Sequence, residues 1–208
     1  MIKKSVKYNG AFSTGALFIN ESISLINGID NFEDFMNGSE KLNFDLIPVN
    51  SDSSKRKIGN EIQKRLLNLK NPAYLHFIYN SVNTTDKALI LFYASCKTYK
   101  LITDFMLDVV LDKWQNMDYE LDINDFKNFF VRLAAENEEL LKIKPSTIHK
   151  LSQVTIRMIT ELGMLKNQKL VKPLYNHSIL RQIALDGDSW FLEILLLNNI
   201  EKQELKAQ

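Results

Sequence analysis

The sequence predicts an all-α protein, a multi-helix body carrying a C-terminal winged-helix-like element with a small two-stranded ribbon. Three observations carry that expectation. Gly and Pro are scarce, at seven and four of 208 residues, which favours long helices over a turn-rich β fold. Apolar residues recur at helical spacing through most of the chain. One short stretch, Met164 to Pro173, instead places two apolar groups around Asn167-Gln168, as a tight ribbon requires. With 45% hydrophobic residues the chain can bury a proper core. The expected organisation is an N-terminal helical domain over residues 1–120 and a C-terminal winged-helix-like domain over residues 121–208.

In chain order, Thr14 is expected to cap a helix running to Asn27 and stopped by Gly28, with Leu17, Phe18 and Leu25 on one face. Asp30 caps Asn31 to Asn37, ahead of Gly38. Ser39 to Asp52, with Pro48 inside, reads as an ordered loop holding one turn of helix. From Ser54, Ile58, Ile62, Leu66 and Leu69 form one stripe while Lys57, Asn60 and Lys64 fall opposite, an amphipathic helix with a basic face. Asn71-Pro72 breaks it, and Pro72 opens the next helix.

Thr84 or Thr85 is expected to cap a buried helix containing the apolar run Leu89 to Cys96. Tyr99 to about Met117 keeps helical spacing through Ile102, Phe105, Met106, Val109 and Val110. Asn124 caps a segment with Phe126, Phe129 and Phe130. Pro145-Ser146-Thr147 opens the clearest element, with Ile148, Leu151, Val154, Met158 and Leu162 on its inner face. Ser146, His149, Lys150, Gln153 and Arg157 fall on its outer face, and Gly163 ends it. Helices over Ser178 to Asp186 and Ser189 to Asn198 close the chain.

The residue types narrow the chemistry. Cys96 is the only cysteine, so no intrachain disulfide forms, and His76, His149 and His177 share no metal-ligand spacing. Ser13-Thr14-Gly15 lacks the glycine spacing and following Lys of a phosphate loop, and no nucleophile elbow or dinucleotide fingerprint occurs. No catalysis, cofactor or metal is therefore expected. Lys87 and Lys97 bracket the longest apolar run well short of the roughly 20 residues that span a bilayer. Lys3, Lys4 and Lys7 are followed by Asn9, Ser13 and Asn20, unlike a signal peptide. A cytoplasmic protein without membrane contact is the expectation.

Charge is the informative signal. The total is +1, yet Ser53 to Lys70 holds six cations against Glu61, and Lys142 to Arg181 holds eight against Glu161. Between them, Asp104 to Glu139 carries ten acids and three cations. Such segregation makes faces that attract polyanions and faces that repel them. Duplex DNA is the expected partner, gripped by Lys55, Arg56, Lys57 and Lys64 on the first basic helix and by the helix from Ser146 on the second. There, Ser146 and Thr147 offer a helix N-terminus to phosphate, Lys150 and Arg157 hold phosphates, and Gln153 reaches a base edge. Lys166 and Lys169 on the ribbon would follow the adjacent backbone.

Several segments in order also resemble a known family. They are Ala11-Phe12-Ser13-Thr14-Gly15-Ala16-Leu17 with Asn20-Glu21-Ser22, and Lys55-Arg56 through Glu61-Ile62-Gln63-Lys64-Arg65-Leu66. Tyr99 to Phe105, Ser146-Thr147 with Lys150-Leu151, and Glu161-Leu162-Gly163-Met164-Leu165 continue the match. Together these resemble BrxA, the small accessory proteins of BREX (bacteriophage exclusion) systems. The resemblance implies an all-helical, non-catalytic, cytoplasmic DNA-binding component of phage defence, acting beside a methyltransferase, an ATPase and other large partners. It also implies likeness in fold to the helical antitermination factor NusB, which binds RNA, so an RNA-binding role stands as an alternative. A second alternative is a protein-protein adaptor anchored by Trp114, Trp190 and Phe191.

Overall fold

A buried helix organises the molecule. In the computed structural model, which describes Tyr8 and residues 11–207, α5 (Thr84–Thr98) is enclosed along its whole middle, with every residue from Ala88 to Cys96 buried. A helix apolar on all sides can be stable only as a core element. Around it pack α1 (Ile19–Ile26), α3 (Asp52–Leu67), α4 (Ala73–Asn80) and α6 (Lys100–Phe105), while α2 (Phe32–Asn37) sets Phe32 against His76 and Tyr79 of α4. Lys3, Lys4 and Lys7, weighed above as a leader, lie outside the described residues.

The second half begins on a helix shared with the first. α6 runs through a π-helical turn at Met106–Val110 into α7 (Leu111–Gln115), giving one rod over residues 100–115. The chain then extends, and its backbone bonds the ribbon: Leu170 N–H donates to Tyr119 O (2.7 Å) and Leu121 N–H to Gln168 O (2.8 Å). Next come α8 (Ile123–Ala135), the single turn α9 (Glu138–Leu141) and α10 (Pro145–Glu161). Gly163, at φ 85°, turns the chain into β1 (Leu165–Lys166) and β2 (Lys169–Leu170), which pair antiparallel. Asn167 and Gln168 both have positive φ, the backbone a two-residue hairpin turn demands. The expected helical protein with a small ribbon is what forms, and residues 119–121 add a third extended piece to that ribbon.

α11 (His177–Leu185), α12 (Ser189–Ile194) and α13 (Asn199–Ala207) return to the core. Phe191 stacks on Tyr93 of α5 at 4.7 Å between ring centroids, so side chains from both sides of residue 120 meet in one apolar interior. Asp188 ties this junction. Its carboxylate accepts hydrogen bonds from the Tyr93 hydroxyl, Lys97 Nζ (2.7 Å) and Trp190 Nε1 (2.9 Å). Burial pushes the Asp188 carboxyl up, but these donors outweigh it and hold it below the usual carboxylate range.

A pH dependence follows from that sign. The carboxylate contributes stability above the unfolded value of about 3.9, and the contribution is lost as pH falls through the lower folded value. Asp188→Asn is expected to cost about 1.5–3 kcal/mol at neutral pH. The gap between variant and parent should close below about pH 4, as read by urea unfolding at each pH; a constant gap would refute the assignment.

Several boundaries differ from the sequence expectation. Thr14 caps no α-helix: Ala11–Thr14 forms a 3-10 turn, and α1 starts only at Ile19 after Phe18 adopts φ 54°. The caps used are Asn31, Asn83 and Asp122 rather than Asp30, Thr84 or Thr85, and Asn124. Asp122 and Asp125 form a reciprocal capping box, satisfying two end amides of α8. The last expected helix, Ser189 to Asn198, ends early as α12 at Ile194, Leu196 takes φ 61°, and α13 follows as a helix the sequence reading did not expect.

Candidate nucleic-acid interface

α3 and α10 carry the two basic segments, and both lie against the same stretch of chain. The 3-10 turn Ala11–Thr14 packs on α3 and on α10, and the residues after it are clamped from each side. From α3, Arg65 donates through Nη1 to Ala16 O (2.5 Å) and through Nη2 to Gly15 O (3.2 Å). From α10, the Glu161 carboxylate accepts the Leu17 N–H (2.9 Å). Residues 12–18 therefore form a strap between the two helices.

Arg65 adds to the net charge of the first basic segment but not to its surface. It is 3% exposed, pairs with Glu61 (2.7 Å), and stacks near Phe18 and Tyr99. Glu61 in turn accepts the Tyr99 hydroxyl (2.6 Å), and burial with that bond pushes the Tyr99 phenol well above its usual range. Sequence patterning could not separate this arginine from its neighbours, because a buried ion pair and a solvated one carry the same letters.

The other cations of α3 differ in freedom. Lys55 is half-buried, with Nζ 3.8 Å from an Asp45 carboxylate oxygen and bonded to the Asp45 carbonyl (3.4 Å). Lys64 is exposed, with its ammonium 4.7 Å over the Tyr99 ring. Arg56 and Lys57 are exposed and form no ion pair among the described residues. Lys57 lies one turn before Glu61, which places it toward the Tyr99 side of the helix.

α10 keeps the expected division. Leu151, Val154, Met158 and Ile159 are buried, while Ser146, Lys150, Gln153 and Arg157 are exposed and Thr147 is half-buried. Lys150 has no ion pair among the described residues; Arg157 Nε donates to Glu161 Oε1 (2.8 Å) yet its side chain stays 74% exposed. Lys150 and Arg157 precede Glu161 by eleven and four residues, so both fall on the same side of α10 as Glu161. The ribbon follows immediately and packs on α10. Lys166 and Lys169 are direct cross-strand partners, both exposed, and the like charges face each other with Glu120 opposite Lys169 on its other side.

Carboxylates lie beside the ribbon. Lys113, Asp118, Glu120, Asp122, Asp125 and Gln168 line a polar depression beside the ribbon turn. Burial opposes charge on Lys113, but its bonds and ion pairs to Asp118 (2.6 Å) and Asp125 (3.4 Å) outweigh it and raise its pKa. The Lys113 hydrogen bond holds the exposed Asp118 carboxyl below its usual range. Among the described residues no group of His, Cys, Asp and Glu is arranged to hold a metal, and no helix is long and apolar enough to cross a membrane.

The strap, the two basic helices and the ribbon all lie within one matched region: the profile of the BrxA family covers residues 6–186. The chain belongs to the BrxA family. A relative described as "BREX protein BrxA", from Bacillus cereus (strain H3081.97), is 29% identical to this BrxA-family chain over 203 residues, which covers 94% of the chain and 99% of the relative. In fold, the chain matches the crystal structure of an uncharacterized protein from Magnetospirillum magneticum with a TM-score of 0.71 at 16% identity. That match spans 91% of this chain and 98% of the other, so the architecture recurs with little sequence in common.

Proposed function

We propose that this BrxA-family chain is a non-catalytic accessory component of a BREX bacteriophage-defence system that binds duplex DNA with weak sequence selectivity. One observation carries the DNA reading. The outer face of α10 presents Lys150, Gln153 and Arg157 to solvent, and the ribbon that follows it presents the facing pair Lys166 and Lys169. The order of elements supports the same reading. A helix (residues 100–115), an extended piece, α8, α10 and an antiparallel ribbon follow one another as in a winged helix, with the extended piece bonded to the second ribbon strand. In such a unit α10 enters the major groove and the ribbon tracks the backbone.

Charge sets the strength and limits of this binding. With four to eight phosphate contacts, log affinity should fall against log salt with a slope of about −4 to −7. Mobility-shift titration of a mixed-sequence duplex across a salt series checks this. A slope near zero, or preferential retention of duplex RNA in competition, would remove the DNA assignment. Docking on a methyltransferase or ATPase of the same system is compatible with this surface, because the acidic depression lies to one side of it.

A further inference from the structure

We infer that Glu161 is a positioning residue for Arg157, holding the guanidinium edge-on so that its outer fork is presented to a phosphate. The inference rests on the DNA reading of α10 and deepens it. The geometry is specific. Glu161 spends one oxygen on Arg157 Nε (2.8 Å) and the other on the Leu17 N–H (2.9 Å). The carboxylate is thus fixed by the strap's backbone, and it is only 23% exposed against 74% for Arg157.

Only the Nε edge of Arg157 is engaged, and neither Nη group has a hydrogen-bond partner among the described residues. A guanidinium held by its inner edge retains two parallel donors at its outer end, the fork that matches two phosphate oxygens. A free arginine on a helix surface would have to order its long side chain on binding; this one is ordered beforehand. The strap, and through it Arg65 on α3, thereby bears on the contact that α10 makes.

Charge alone predicts the opposite effect. A carboxylate beside a phosphate site repels DNA, so neutralising it would tighten binding unless its positioning role outweighs the repulsion. Glu161→Gln is the discriminating variant, because the amide oxygen can still accept the Leu17 N–H while the charged acceptor for Arg157 is gone. In mobility-shift titrations on a fixed duplex, Glu161→Gln is expected to weaken affinity by about 5-fold and lower the salt slope by about 1. The same change in an Arg157→Ala background should cause no loss.

Arg157→Lys provides a second reading that does not touch the strap. It keeps the charge but cannot offer an inner edge to Glu161 and a fork to phosphate together, and about a 3-fold loss is expected. Wild-type or tighter binding by Glu161→Gln, or unchanged binding by Arg157→Lys, overturns the positioning role while leaving the DNA reading in place. Failure of the unmodified protein to bind duplex DNA at low salt overturns both.

Discussion

Simultaneous replacement of Lys150, Arg157 and Lys169 by Glu is expected to abolish retention of duplex DNA while leaving helicity unchanged. All three side chains are exposed, two on the outer face of α10 and one on β2. None holds the core, so their loss should not register in far-UV circular dichroism. The Arg157 and Glu161 pair is largely solvated at the arginine end and supports folding little. Each reversal converts an attraction for phosphate into a repulsion, and three lost contacts alone would lower the salt slope by about 3. The matching control reverses Lys41, an exposed lysine of the loop before α3, and should leave binding nearly intact. Unaltered mobility-shift titrations for the triple variant would mean that DNA, if bound, is held elsewhere.

The sequence made α3, α8 and α10 legible because each has a long apolar stripe with few competing signals. On α10 the match reaches individual side chains: the residues read as outward, from Ser146 to Arg157, are exposed, and the stripe opposite them is buried except for the half-buried Ile148. Helix starts other than that of α1 were legible only to within a residue or two. Asn83 caps α5 although Thr84 and Thr85 are equally suitable by type, because the choice depends on which side chain reaches the Thr85 amide. The strap was not legible at all. Thr14 precedes an apolar pattern that suits a helix, yet the carbonyls of Gly15 and Ala16 are taken by Arg65 and the Leu17 amide by Glu161. Those bonds come from residues 49 or more positions away, and local propensity carries no trace of them.

The same separation in sequence hid the ordering of the basic faces. Counting cations located the charge on α3 and α10 but weighed Arg65 with the rest, when its guanidinium is buried against Glu61, Tyr99 and the strap. The π-helical turn at Met106–Val110 and the strand-like pairing of residues 119–121 depend in the same way on tertiary partners. Periodicity finds which face of an element is wet. It does not find which wet or buried charges are already satisfied, and that decides which cations are left for a phosphate.

Arg65→Ala is expected to be the most destabilising single change on this surface, at about 3–5 kcal/mol. The cost comes from what stays behind rather than from the charge removed. Glu61, 8% exposed, would keep only the Tyr99 hydroxyl, and the Gly15 and Ala16 carbonyls would lose their donor under a half-buried strap. For a chain of this size that cost lowers the melting temperature by about 6–20 °C. Pairing the change with Glu61→Gln should recover part of the loss by removing the stranded charge, but not all of it, because the two carbonyls remain unsatisfied. Hydrogen exchange gives the local reading: the Leu17 amide, held by Glu161, should exchange faster in Arg65→Ala than in the parent once the strap is released from α3. A loss below about 1 kcal/mol with unchanged exchange would mean that the strap is held by packing of Phe12 and Leu17 and by the Glu161 bond, and that α3 and α10 are set apart by the apolar core rather than by this buried arginine.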